Sequence, residues 1–119
     1  MRVFVGRGVD SFKKIVRCPI TFWLLCERSG WPDNQSYLNI LSWCWVKDEE
    51  RYLIIINFSD TNSRARVHVP WDELRGRTWR LSDALSNETY DRDGNDMRDS
   101  GLHVDMGPWG FHFFYLNPL

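Results

Sequence analysis

Residues 38–59 read LNILSWCWVKDEERYLIIINFS. Two short apolar runs, 38–46 and 52–58, flank the charged insert Lys47-Asp48-Glu49-Glu50. Runs this short, rich in β-branched and aromatic residues, predict strands rather than helices, and an insert of that length predicts a hairpin. Neither run alternates cleanly between apolar and polar. In 52–58 nearly every position is apolar, which predicts a strand covered on both faces. A second sheet can cover one face. What covers the other is the functional question the stretch raises.

Working outward, the loop Ser29-Gly30-Trp31-Pro32-Asp33-Asn34-Gln35-Ser36 precedes the hairpin, and 21–27 (TFWLLCE) reads as an extended segment before that loop. After the hairpin, 64–69 alternates strictly, with Ala65, Val67 and Val69 on one face and Arg64, Arg66 and His68 on the other. That pattern is a half-buried antiparallel strand ended by Pro70. Trp71–Leu74 predicts one helical turn, and 78–81 another strand with Trp79 and Leu81 on one side. Asp93-Gly94 between extended segments predicts a tight hairpin. Leu102, Val104 and Met106 alternate with His103 and Asp105. In the closing strand Phe111, Phe113 and Tyr115 point one way, and His112, Phe114 and Leu116 the other. The sum is an all-β, antiparallel Greek-key sandwich of about seven or eight strands. It covers 21–119 as one domain, with residues 1–20 as an irregular or partly helical N-terminal arm; Phe12, Ile15 and Val16 are spaced for a short helix there.

The 119 residues suit a single domain with a real core. The net charge of −1 and the lack of a basic stripe argue against nucleic acid. No apolar run reaches the ~20 residues of a membrane span, and no signal-peptide pattern opens the chain. Three cysteines, Cys18, Cys26 and Cys44, at irregular spacing form no disulfide framework or zinc pattern, so reduced thiols and a cytoplasmic location are expected. Seven tryptophans exceed what a core of this size demands and point to a binding face or domain interface.

Between Glu27 and Leu116 the ordered pieces RYLIIINFS (51–59), GRTWRLSDAL (76–85), YDRDG (90–94), GLHVDM (101–106) and PWGFHF (108–113) stand at characteristic spacing. In this the chain resembles the C-terminal β-sandwich domain of the α-amylase family of glycoside hydrolases. The loop 29–36 also looks like the entry to that domain in some bacterial members. The resemblance implies a non-catalytic accessory domain that packs on and supports a (β/α)8 catalytic barrel. The barrel carries the family's catalytic carboxylates, needs about 250 residues, and has no counterpart in this sequence. The domain's partner is then that barrel, in cis or lost, and α-glucan the family's substrate class. Residues 1–20 depart from what a barrel's last helix would show.

The candidate residues follow. Retaining glycosidases need two carboxyls about 5 Å apart; Asp72/Glu73, Asp91/Asp93 and Asp96/Asp99 are neighbours in predicted turns, where acids serve solvation. Around Asp91 the EF-hand positions fail, since Gly94 is fourth rather than sixth. His68, His103 and His112 lie on three strands, so no metal or cofactor is expected. Trp31, Trp71 and Trp109, in loops beside Pro or Gly, are the sugar-stacking candidates. They carry the alternative function, a starch or α-glucan-binding module. Tyr52, Ile54, Ile56 and Phe58, with His112, Phe114 and Leu116, are assigned to an interdomain or partner face, and self-association of the isolated chain is expected from it. Trp43, Trp45 and Trp79 are expected in the core or at that interface, and Asn57 as a satisfied buried amide.

Overall fold

The computed structural model describes residues 21–119. The N-terminal arm, its predicted helical turns and Cys18 lie outside the described residues. The domain is an all-β sandwich of two antiparallel sheets. The larger has six strands in the order β1 (Thr21–Leu25), β3 (Ile40–Lys47), β4 (Glu50–Asn57), β9 (Phe111–Pro118), β6 (Thr78–Asp83) and β7 (Thr89–Asp93). The smaller has β2 (Glu27–Ser29), β5 (Ser63–His68) and β8 (Leu102–Met106). Only β3–β4 and β6–β7 are hairpins within a sheet; every other connection passes to the opposite sheet.

The hairpin of residues 38–59 is the centre of the large sheet. Ile40 stands opposite Asn57 and Lys47 opposite Glu50, so Asp48-Glu49 alone makes the turn. Asp48 takes φ 57°, a left-handed conformation that Asp tolerates better than most residues. β9 then pairs with β4 on one side and β6 on the other, joining the β1-β3-β4 and β6-β7 parts.

The core lies between the sheets. Ile40, Cys44, Leu53, Ile55, Trp79, Leu81, Phe114 and Leu116 enter from the large sheet, and Ala65, Val67, Leu102, Val104 and Met106 from the small one. Trp79, the largest fully buried side chain, donates its indole N–H to the Leu74 carbonyl at 2.9 Å. Asn57 is the satisfied buried amide its position predicts. Its Nδ2 donates to the carbonyls of Thr61, Met106 and Gly107, and its Oδ1 accepts from Ser59 Oγ.

Three expectations are corrected. Nine strands occur among the described residues, because 21–27 divides at Cys26: β1 joins the large sheet and β2 the small one. Asp93-Gly94 is not a hairpin turn. Asp93 caps a short helix, α1 (Gly94–Asp99), by accepting from Asp96 N–H at 3.1 Å. Gly94 N–H meanwhile donates to the Arg77 carbonyl, so the local bonds favour a helical turn over a strand return. Finally, His112, Phe114 and Leu116 face inward. Leu116 and Phe114 are buried, and the β4–β9 register sets Phe111, Phe113 and Tyr115 beside Ile56, Ile54 and Tyr52 instead. Both sets of β9 are apolar, so alternation gave no sign of which faced in.

Candidate functional site

The outward face of the large sheet collects the unusual chemistry. Cross-strand partners share a face, so the register can be read straight across it. Trp23 stands opposite Trp45 and Leu25 opposite Trp43; Trp45 stands opposite Tyr52 and Trp43 opposite Ile54. Tyr52 stands opposite Tyr115, Ile54 opposite Phe113 and Ile56 opposite Phe111. The result is an apolar, aromatic surface four strands wide, or ~19 Å at the usual strand spacing. Tyr52 is its hub, with ring centroids 5.8 Å from Trp45, 5.8 Å from Phe113 and 5.3 Å from Tyr115. Its hydroxyl donates to Glu50 Oε1 at 2.8 Å, and that bond raises the phenol's pKa above its ordinary value.

The surface stops sharply at β9. The outward positions of β6 and β7 are Thr78, Arg80 and Ser82 opposite Asp93, Asp91 and Thr89, with Arg80 paired to Asp91 at 2.8 Å. One end of the patch continues into Phe58, 65% exposed, and Trp109, 58% exposed, packed edge to face at 5.6 Å. Trp109 holds φ 55°, strained for a bulky residue, with its N–H bonded to the Ser59 carbonyl at 3.0 Å. The indole N–H of Trp45 is enclosed yet has no acceptor among the described residues.

The three sugar-stacking candidates separate. Trp71 is corrected: it packs in the core at 9% exposure, because the chain turns inward after Pro70 to start the Asp72–Leu74 turn. Trp31 is half-buried on the small sheet against Arg64, Arg66 and His103. Trp109 alone presents an open indole, beside Phe58. Of the partner-face residues, Tyr52, Ile54 and Ile56 lie on the outward face, Phe58 extends it, and His112, Phe114 and Leu116 do not reach it.

The histidines have separate partners: His68 shares a hydrogen bond with Ser29 Oγ (2.8 Å), His103 meets Trp31, and His112 Nδ1 lies 2.8 Å from Asp83 Oδ2. Burial alone would raise the Asp83 pKa. Hydrogen bonds from His112 and from the N–H groups of Leu85 and Phe113 outweigh that and hold it below the ordinary carboxylate value. His112 borders a cleft of about 230 Å³ between the sheets, lined also by Tyr90, Arg92, Leu102 and Phe114. No group of three or more His, Cys, Asp or Glu that could hold a metal occurs among the described residues. Cys26 and Cys44 are buried free thiols on the inner side of β1–β3; a hydrogen bond with Cys44, then burial, pushes the Cys26 thiol far up.

Neither the β9 side of the patch nor its edge follows from the strand pattern: both sets of β9 are apolar, and β6, which bounds the patch, is distant in sequence from β9. With fold and surface described, the class of the molecule is an all-β sandwich bearing one bounded aromatic face. No protein-family model and no curated protein matches this chain.

Proposed function

We propose that this chain is a non-catalytic accessory domain of an α-amylase-like glycoside hydrolase. In this reading the β1-β3-β4-β9 face packs on a (β/α)8 catalytic barrel and supports it. The observation that carries the reading is the bounded outward face: apolar from β1 to β9 and polar beyond. Its central residues are half-buried, but Leu25 (59%), Phe111 (49%) and Phe58 (65%) at its margins stay exposed, and exposed apolar side chains grouped on one face mark interaction sites. The ordered sequence pieces supply the kind of partner. Buried free thiols fit a reducing, cytoplasmic setting.

The test adds the full chain to an α-amylase barrel stripped of its own C-terminal domain. Binding and a raised melting temperature of the barrel are expected, both lost with Ile54→Lys/Phe113→Lys. No association at tens of micromolar would remove the barrel as partner.

A second reading, an α-glucan-binding module, rests on the open Trp109–Phe58 pair. Trp109→Gly isolates it. Relief of left-handed strain, about 1–2 kcal/mol, roughly offsets the lost aromatic contact, about 0.5–1.5 kcal/mol. The variant therefore keeps its stability. Maltoheptaose should quench the wild-type tryptophan fluorescence and leave Trp109→Gly unchanged if this reading holds; a flat wild-type titration ends it.

A further inference from the structure

We propose that Trp31, Arg64, Arg66 and His103 form a binding site for a phosphate-type oxoanion on the outward face of the small sheet. Arg64 and Arg66 share the outward side of β5, and Arg66 stands between Ser29 of β2 and His103 of β8. Trp31 lies against both arginines, its ring centroid 4.9 Å from the Arg64 guanidinium carbon and 4.7 Å from that of Arg66. His103 meets the same indole edge to face at 5.6 Å.

The loop that carries Trp31 is tied down. Asn34 N–H donates to the Trp31 carbonyl at 3.0 Å, and Asn34 Oδ1 accepts from both Ser36 N–H and Ser36 Oγ. Ser36 Oγ in turn accepts from Arg64 N–H at 3.0 Å, locking the loop to β5. The indole therefore holds both guanidinium groups close to it before any ligand arrives, which lowers the ordering cost of binding.

What these arginines lack is an acid. Arg51, Arg75, Arg80 and Arg98 each pair with a carboxylate. Among the described residues the Arg64 and Arg66 side chains pair with none. Asp105 stands opposite Arg64 and Glu27 opposite His68 without ion-pairing to either arginine. These carboxylates bound the cationic spot, so it suits a compact anion rather than an extended polyanion. Two guanidinium groups match the charge of a dianionic phosphate, free or carried as a monoester on a sugar, and guanidinium N–H groups are the preferred donors to its oxygens. With its indole engaged by two cations and an imidazole, Trp31 is also a poor platform for a neutral sugar ring.

The test titrates the dilute full chain with inorganic phosphate, glucose 6-phosphate and glucose at constant ionic strength, reading assigned arginine Nε–H and tryptophan Nε1–H NMR signals. Saturable shifts at Arg64, Arg66 and Trp31 are expected with both phosphates and none with glucose. Tighter binding of glucose 6-phosphate would identify a sugar-borne phosphate, and equal binding the free ion; both support the site. Arg64→Gln/Arg66→Gln should weaken binding by about tenfold or more, whereas Arg75→Gln/Arg80→Gln should not. Non-saturating shifts, or shifts at Arg75 and Arg80 as large as those at Arg64 and Arg66, would overturn the proposal. So would unchanged affinity in the folded double variant. Should that variant not fold, the site-resolved wild-type shifts decide by themselves.

Discussion

Asp83 and Gly94 show how single positions hold the sandwich to one geometry. Asp83 is nearly inaccessible and accepts three hydrogen bonds, two from β9 (His112 and Phe113) and one from Leu85. It pins the end of β6 to β9. In Asp83→Asn the remaining Oδ1 keeps both backbone bonds, and the new NH2 can donate to His112 once the imidazole switches tautomer. The expected loss at pH 7 is therefore only about 1–2 kcal/mol. Because the folded-state pKa of Asp83 is depressed, its contribution is present above the unfolded carboxylate value of ~3.9 and is lost as pH falls through the lower folded value. Urea midpoints of wild type and Asp83→Asn should therefore converge below about pH 4. A gap that stays constant from pH 7 to pH 3 would contradict the assignment. Gly94 is needed for space. A Cβ there would lie 1.6 Å from the Leu74 carbonyl oxygen and 2.7 Å from that of Arg77, both backbone atoms. Gly94→Ala should cost at least ~3 kcal/mol, read as a lowered denaturation midpoint.

At the level of elements, β4 carries two different jobs on alternate residues. Ile55 is fully buried between the sheets, and Ile54 lies on the outward patch. Ile55→Ala should destabilise by about 2–5 kcal/mol through lost burial and a cavity. Ile54→Lys should cost far less, because the ammonium can reach water. It should instead reduce concentration-dependent self-association in sedimentation. Equal destabilisation by the two changes would mean that the outward face is already sealed within the chain. β7–α1 illustrates the converse, where local chemistry that reads as a hairpin is redirected by its neighbours. Asp93 and Gly94 suit a tight turn, but here Asp93 caps α1 while Gly94 N–H bonds to the Arg77 carbonyl, and the Leu74 carbonyl sits too close to admit a side chain at Gly94.

For the whole molecule, β9 is the joint. It is the last strand in sequence yet lies in the middle of the large sheet, paired to β4 and β6. A chain ending at Gly110 leaves two unpaired edges and uncovers Leu53, Leu81 and their neighbours. It should show no cooperative thermal transition by near-ultraviolet circular dichroism, whereas the full chain should unfold in one step. Pairings so distant in sequence also predict refolding in milliseconds to seconds rather than microseconds.

Much of this was legible in the residues. Strand composition and turn signals specify an all-β domain, and the alternation in 64–69 and 102–106 names the buried set because only one of its two faces is apolar. Asn57 could be read as a satisfied amide for a similar reason: a lone amide inside an apolar strand has to find partners. Where both faces of a strand are apolar, period-two patterning is silent, and the inward side of β9 is set by its register against β4. The same holds for Trp31 and Trp71. Both sit beside proline in polar surroundings, and only long-range packing buries one and stacks the other on two arginines. The local code carries propensity and period. The assignment of faces, and of which charges are left without partners, depends on strands far apart in the chain that meet only when the sandwich closes.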